Sequence, residues 1–277
     1  MSSQLRVAFQ GERGAYSEAA AVTFFGQGVE PIPCNDFDDV FQAVTLKKAD
    51  RGILPLENSL AGSIHRNYDL LLRYELFIVG EVQIPIAHQL IAQPGVALAD
   101  VKKVYSHPQA LAQCEHSISK ILPQAKRVVT YDTAGSIKMI KEQDIRDGAG
   151  LASHRAAEIY GMNILKSDMQ DDIENYTRFA VVAPEPIIPP EGEAKTSIVF
   201  SMKNVPGALF KCLAVFALRD IDLTKMESRP LQGQRWQYFF YIDFAGSQQE
   251  ERCKNALNHL SEVTTFLRIL GSYQRGV

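Results

Sequence analysis

A run of prolines splits the chain into two patterns that do not fit one core. Residues 184–194 read "PEPIIPPEGEA", and four prolines with a glycine make a stiff, exposed connector rather than a helix or strand. Before it, from residue 5 to 184, strand-like and helix-like segments alternate. "LRVAFQ" reads as a strand and "AYSEAAAVTFF" as the helix after it; "FDDVFQAVTLKKA" carries Phe37, Val40, Phe41 and Val44 at helical spacing. "RGILPLE" is a strand and "SIHRNYDLLLRYE" a helix, and the long β-branched stretch "ELFIVGEVQIPIAHQLIAQ" divides into two strands. Strand "KVYSH", helix "QALAQCEHSISKIL", strand "RVVTYD", helix "AGSIKMIKEQD", strand "GAGLAS", helix "HRAAEIYG" and strand "TRFAVVA" complete the series. Such alternation predicts an α/β chain on one or two largely parallel sheets. Beyond the connector the order becomes βαββαβ, with Cys253, Ala256, Leu257, Leu260 and Val263 forming a helical stripe. That order is the ferredoxin-like split motif. The expected division is a first domain over 5–184, a linker over 185–194 and a second domain over 195–274.

The 277 residues suit two domains, and a net charge of −3 advertises neither nucleic acid nor an anionic membrane as partner. No apolar run reaches membrane-spanning length. Four widely spaced cysteines (Cys34, Cys114, Cys212 and Cys253) form no paired framework, which points to a reducing compartment. "MSSQLRVAFQ" enters a strand at once with no signal segment. The expected location is the cytoplasm, or the plastid stroma where a transit peptide has been removed.

Four loops share one design. "GERGAYSE", "ENSLAGSIH", "SHPQALAQ" and "DTAGSIK" each follow a strand, carry small or hydroxyl residues and open a helix. Helix N-termini attract anions, and Ser17, Ser59, Ser63, Ser106, Thr133 and Ser136 could add donors. The plainer alternative is helix capping. The dinucleotide glycine spacing, the phosphate-loop lysine and the Gly-x-Ser-x-Gly elbow are all missing. His107, Cys114 and His116 fit no standard zinc spacing, and Cys114 falls on an apolar stripe with Leu111, Ile118 and Ile121, so no metal is expected. His88 reads as a core histidine, and Asp171, Asp172 and Glu174 as a solvated face. The stretch "NYTRF" (175–179) places Thr177 and Arg178 at the mouth of an apolar strand. Period-two alternation sets Thr177 and Phe179 on one face and Arg178 on the other. The plain alternative there is an edge threonine with an arginine paired to "DDIE".

"ENS" (57–59), "SHPQAL" (106–111), "DTAG" (132–135) and "NYTRF" (175–179), in that order, resemble the prephenate dehydratases. "GALF" (207–210) and "ESRP" (227–230) resemble that family's regulatory ACT domain, and "GSIHRNYDLLLR" and "SHPQALAQC" resemble the plant arogenate dehydratases. The resemblance implies a two-lobed catalytic domain like type II periplasmic binding proteins, with a cleft between lobes, plus a ferredoxin-like ACT domain. It implies loss of the ring hydroxyl and a carboxylate from prephenate, giving phenylpyruvate, CO2 and water. Arogenate would give phenylalanine directly. No cofactor is implied, because aromatisation drives the step. By motif, Thr177 is the proton donor and Glu57 the residue that replenishes it. Asn58, Ser59, Ser106, Gln113, Thr133, Arg178 and Phe179 would line the substrate. Gly207, Ala208, Leu209, Phe210, Glu227, Ser228, Arg229 and Pro230 would form a phenylalanine site where two second domains pair, which implies a homodimer or homotetramer. The rival from another class is a non-catalytic sensor that binds a small anion without turnover.

Overall fold

A computed structural model describes residues 4–189, 193–231 and 236–276. Part of the expected linker, residues 190–192, lies outside that description. The chain runs β1 (Arg6–Gln10), α1 (Tyr16–Phe25), β2 (Glu30–Cys34), α2 (Phe37–Thr45), β3 (Arg51–Asn58), β4 (Gly62–Ser63), α3 (His65–Arg73), β5 (Phe77–Pro85), β6 (Gln89–Ala92), β7 (Lys103–Ser106), α4 (Pro108–Gln113), α5 (Glu115–Ile121), β8 (Lys126–Val129), α6 (Thr133–Glu142), β9 (Gly148–Ala152), α7 (His154–Tyr160), β10 (Asn163–Lys166) and β11 (Tyr176–Ala183). Then come β12 (Ala194–Ser201), α8 (Ala208–Ala217), β13 (Leu223–Pro230), β14 (Tyr238–Ala245), α9 (Glu251–Val263) and β15 (Phe266–Gln274).

The first eleven strands build two sheets, ordered β2-β1-β3-β11-β5 with β4 beside β3, and β10-β6-β9-β7-β8. Strand β1 runs parallel to β2 and β3, and β7 runs parallel to β8 and β9. The chain passes from one sheet to the other between Pro85 and Gln89 and returns between Lys166 and Tyr176. Two α/β lobes joined by two crossings are the arrangement of type II binding proteins. Helices α1 and α2 pack on β1 and β3, and α4 and α6 pack on β7 and β9.

Besides the two-residue β4, two strands escaped the sequence pattern. Strand β2, "EPIPC", holds Pro31 and Pro33, which no central strand tolerates, but it lies at a sheet edge where their missing N–H groups cost little. Strand β10 is four residues at the opposite kind of edge, antiparallel to β6. The single helix expected over "QALAQCEHSISKIL" is two, broken at Cys114 (φ −117°, ψ 9°). Asp171 causes the second start: its carboxylate accepts from the backbone N–H of His116 (2.9 Å) and Ser117 (2.8 Å). Burial alone would raise the Asp171 pKa, but these donors outweigh it and hold the carboxyl below its ordinary value. Asp171 is thus a helix cap rather than part of a merely solvated face.

The chain forms two compact units, Met1–Gly62 with Val82–Phe179, and Ser63–Glu81 with Ala180–Val277. In the second, the antiparallel sheet β13-β14-β12-β15 has a βαββαβ order. One face carries α8 and α9 on a core of Ile198, Phe200, Val215, Phe216, Ile242, Phe244 and Leu260. The other face takes residues 63–81. Tyr241 donates to Tyr68 O (3.0 Å), Arg268 donates to the carbonyls of Leu72, Tyr74 and Leu76, and buried Lys195 pairs with buried Glu81 at 2.7 Å. The boundary suggested by prolines follows the chain. The compact unit also gathers α3 and the start of β5, because the sheet has two faces to cover.

Candidate active site

Strand β11 lies between β3 and β5, and Phe179 to Ala183 are all buried. An uninterrupted apolar run is what a strand covered on both faces requires. Its polar start meets the end of β3, and alternation sorts the partners. Glu57 faces Arg178 (3.4 Å), while Asn58 faces Thr177 (3.0 Å). The arginine therefore has Glu57 as an ion-pair partner. Ser59 extends the seam: its N–H donates to Tyr176 O, its hydroxyl donates to Glu174 O (2.7 Å), and it accepts from Tyr176 N–H (2.9 Å).

The orientation of the Asn58 amide is fixed by its neighbours. Its Oδ1 accepts from the backbone N–H of Leu60 (3.1 Å) and Ala61 (2.8 Å), so its NH2 must point the other way. The two N–H of that group are shared among Asn175 Oδ1 (2.7 Å), Tyr176 O (3.0 Å) and Thr177 Oγ1 (3.0 Å). Thr177 is thus an acceptor in its one side-chain bond to a described residue, and its own proton is unspent. Asn175, 1% exposed, likewise keeps an Nδ2 without a partner among the described residues. The relay expected from Glu57 to Thr177 has no direct hydrogen bond.

Two other hydroxyls singled out from sequence are already used. Ser106, fully buried, donates to Leu151 O (2.7 Å), and Ser136 donates to Thr133 O (2.6 Å). Thr133 opens α6, where Asp132 accepts from Gly135 N–H (2.8 Å). The threonine is half-buried, and its hydroxyl has no side-chain partner among the described residues. Burial raises the Asp132 pKa, opposed by the N–H groups of Gly135 and Ala134.

The "GERGAYSE" loop does something other than offer an anion cradle. Glu18, with a fully buried side chain, takes Gly14 N–H (2.6 Å) and pairs with Arg13 (3.1 Å) and Arg155 (2.8 Å). Glu12 pairs with Lys138 (3.1 Å) and accepts from Tyr131 (3.0 Å), and Ser153 donates to Gly14 O (2.6 Å). These bonds tie the first lobe to α6 and α7 of the second. Gly14 (φ +88°) is required there, because a Cβ would stand 2.6 Å from Ala156 Cα.

The two crossings run side by side, with Ile86 N–H donating to Asn175 O (2.8 Å). Gln113 ends α4 against the second crossing, its carbonyl accepting from Asp171 N–H (2.8 Å). Thr177 and Gln113, one from each lobe's side, therefore both stand at the crossings. Cys114 lies in the apolar core beside Leu111 and Ile118, and burial pushes its thiol up to about 12.

The second proposed site is differently arranged. Gly207 caps α8 at φ +78°, and Phe210 is 75% exposed. In "ESRP", alternation turns Glu227 and Arg229 toward α3 and leaves Ser228 and Pro230 exposed. Glu227 accepts from Ser63 (2.6 Å) and pairs with His65 (3.2 Å), and Arg229 pairs with Asp69 (2.9 Å). Nothing in the one-dimensional pattern marks 63–69 as partner to a motif some 160 residues later.

Two α/β lobes with polar donors gathered at their crossings, followed by a βαββαβ domain, define a two-lobed small-molecule enzyme with an appended domain. Residues 7–187 match the family Prephenate dehydratase. The chain is 52% identical to "Arogenate dehydratase/prephenate dehydratase 2, chloroplastic" of Arabidopsis thaliana, over 98% of this chain and 73% of that protein. It superposes with a TM-score of 0.89 on the crystal structure of prephenate dehydratase in complex with L-Phe from Arthrobacter aurescens, at 34% identity, covering 98% of this chain and 90% of that one. A structure described as a novel type of quorum quenching acylase gives the same TM-score at 35% identity, covering 97% of each chain. The chain belongs to the prephenate dehydratase family. It is a carbon–oxygen lyase.

Proposed function

We propose that the chain catalyses the decarboxylating dehydration of prephenate to phenylpyruvate, CO2 and water, with arogenate as the sister substrate. The ring C–CO2 bond breaks, its electrons enter the ring, and the ring C–O bond breaks as hydroxide leaves. A donor must protonate that hydroxide. The observation that carries the assignment to Thr177 is the fixed Asn58 amide, which supplies a hydrogen bond to Oγ1 and leaves the threonine proton to give. A threonine hydroxyl is a weak acid, so it acts within a relay, and solvent or a substrate group must feed it because Glu57 faces Arg178. Asn58, Ser59, Ser106, Gln113, Arg178, Thr133 and Phe179 are proposed to line the site. Gln113 and Thr133 offer polar groups to substrate, while Phe179 and Ser106 complete the wall.

The second domain is proposed to be an ACT domain that binds phenylalanine through 207–210 and 227–230, in a homodimer or homotetramer. The relative crystallised with L-Phe supports the phenylalanine site; the proposed location stays the cytoplasm, or the plastid stroma where a transit peptide has been removed, the setting named for the chloroplastic relative. Domain limits of 5–184 and 195–274 are retained for function. The test is a paired assay of prephenate and arogenate, following CO2, with and without phenylalanine. Turnover of neither substrate would refute the activity, and binding without CO2 release would return the sensor reading. Indifference to phenylalanine would refute the regulatory assignment.

A further inference from the structure

His88 is 2% exposed and sits in the first crossing, between β5 and β6. A buried neutral imidazole must satisfy one donor and one acceptor, and this one does so from both lobes. Its Nδ1 lies 3.0 Å from the Tyr16 hydroxyl, on the first residue of α1 in the first lobe. Its Nε2 lies 3.1 Å from Gln113 Oε1, on the last residue of α4 in the second. Its backbone is held as well, with N–H donating to Gln170 Oε1 (2.9 Å) and the carbonyl accepting from Met169 N–H (2.8 Å). The ring meets Tyr16 edge-on, with centroids 5.5 Å apart.

With the Gln113 carboxamide placed Oε1 toward the ring, one tautomer is selected. Gln113 Oε1 can only accept, so Nε2 carries the hydrogen. Burial lowers the His88 pKa, against the smaller effect of Gln113, and raises that of Tyr16. Both groups are then neutral near pH 7. Nδ1 is left as an acceptor, and the Tyr16 proton lies between it and Ala87 O (2.9 Å). With Oε1 held inward, the Gln113 NH2 faces outward. It has no partner among the described residues, on a half-buried side chain at the crossings.

We infer that His88 is a positioning residue for the reaction: held by Tyr16, it locks the Gln113 carboxamide so that its NH2 donors face the substrate. This rests on the proposed contact between Gln113 and substrate. An unlocked glutamine can flip and present an oxygen to a dianion, or wander among rotamers. An interaction made alike in ground and transition states sets KM rather than kcat. Loss of one neutral hydrogen bond corresponds to roughly 3- to 10-fold.

The experiment is a double-mutant cycle in the full-length enzyme, reading kcat and KM for prephenate alongside melting curves. His88→Leu is expected to raise KM about 3- to 10-fold with kcat nearly unchanged. His88→Gln, whose amide nitrogen falls near the lost Nε2, is expected to recover most of that. In a Gln113→Ala background, His88→Leu is expected to cost nothing further, because its route to substrate is gone. Additive losses, or wild-type KM in folded His88→Leu, would overturn the inference. An unaffected Gln113→Ala would instead refute the substrate contact on which it rests. If His88→Leu does not fold, Tyr16→Phe carries the test, with a KM rise abolished in the Gln113→Ala background expected and an additive one contradicting it.

Discussion

Two polar clusters, one in each compact unit, are built from similar residues and left in opposite states. Around Glu227 and Arg229 every charge is matched: Glu227 takes Ser63 and His65, Ser63 accepts from Lys225 (2.9 Å), and Asp69 takes two bonds from Arg229. Around Thr177 the accounts do not close among the described residues, where a threonine proton and the Asn175 NH2 find no acceptor. Buried donors without acceptors are destabilising, at about 1–3 kcal/mol each. A fold keeps such groups where a ligand completes them, and saturated clusters where surfaces must be held.

The largest expected effect comes from closing the open cluster. Asn58→Asp keeps the oxygen that caps Leu60 and Ala61 but turns the facing nitrogen into an acceptor. Thr177 would then spend its proton on residue 58, and kcat should fall about 10²-fold or more, within the range for losing a positioned donor. Circular dichroism checks the fold, and a kcat within about threefold of wild type would show that the amide does not set the proton. Arg178→Ala comes next. If the guanidinium holds a carboxylate that persists in the product, KM should rise roughly 10-fold or more with kcat little changed, as for a charged hydrogen bond. Lysine should rescue only in part, lacking the bidentate fork. A kcat loss at constant KM would move Arg178 onto transition-state charge. The smallest effect belongs to the saturated cluster. Asp69→Asn should lower stability by about 0.5–1 kcal/mol, as partly exposed pairs do, and leave turnover without phenylalanine unchanged. Urea denaturation and kcat would check this together, and a large fall in kcat would break the contrast between the clusters.

Much of the fold was legible because periodicity is local. The alternation of strands and helices, the two strands within 75–93 and the C-terminal βαββαβ order all appear in the structure. What was hidden depended on position in three dimensions. Pro31 and Pro33 read as strand breakers until β2 proves to be an edge. The stripe through Cys114 looked continuous because Asp171, which starts a new helix there, comes some 55 residues later. Thr177 was legible as a motif residue and Arg178 as its opposite-facing neighbour. The partners were not, since adjacent β3 residues Glu57 and Asn58 divide between them by strand face. His88 looked like core because burial and apolar neighbours are visible in sequence, whereas Tyr16 and Gln113, from two different helices, are not.

The most direct test compares kcat of Thr177→Ser with that of Thr177→Val, using prephenate at saturation and confirming the fold of both. Serine keeps the hydroxyl and the bond from Asn58; valine keeps the shape and loses the proton. Serine should retain activity within about tenfold, and valine should lose about 10²–10⁴, or roughly 3–5 kcal/mol of barrier stabilisation. A folded Thr177→Val with undiminished kcat would contradict the assignment of the threonine as proton donor.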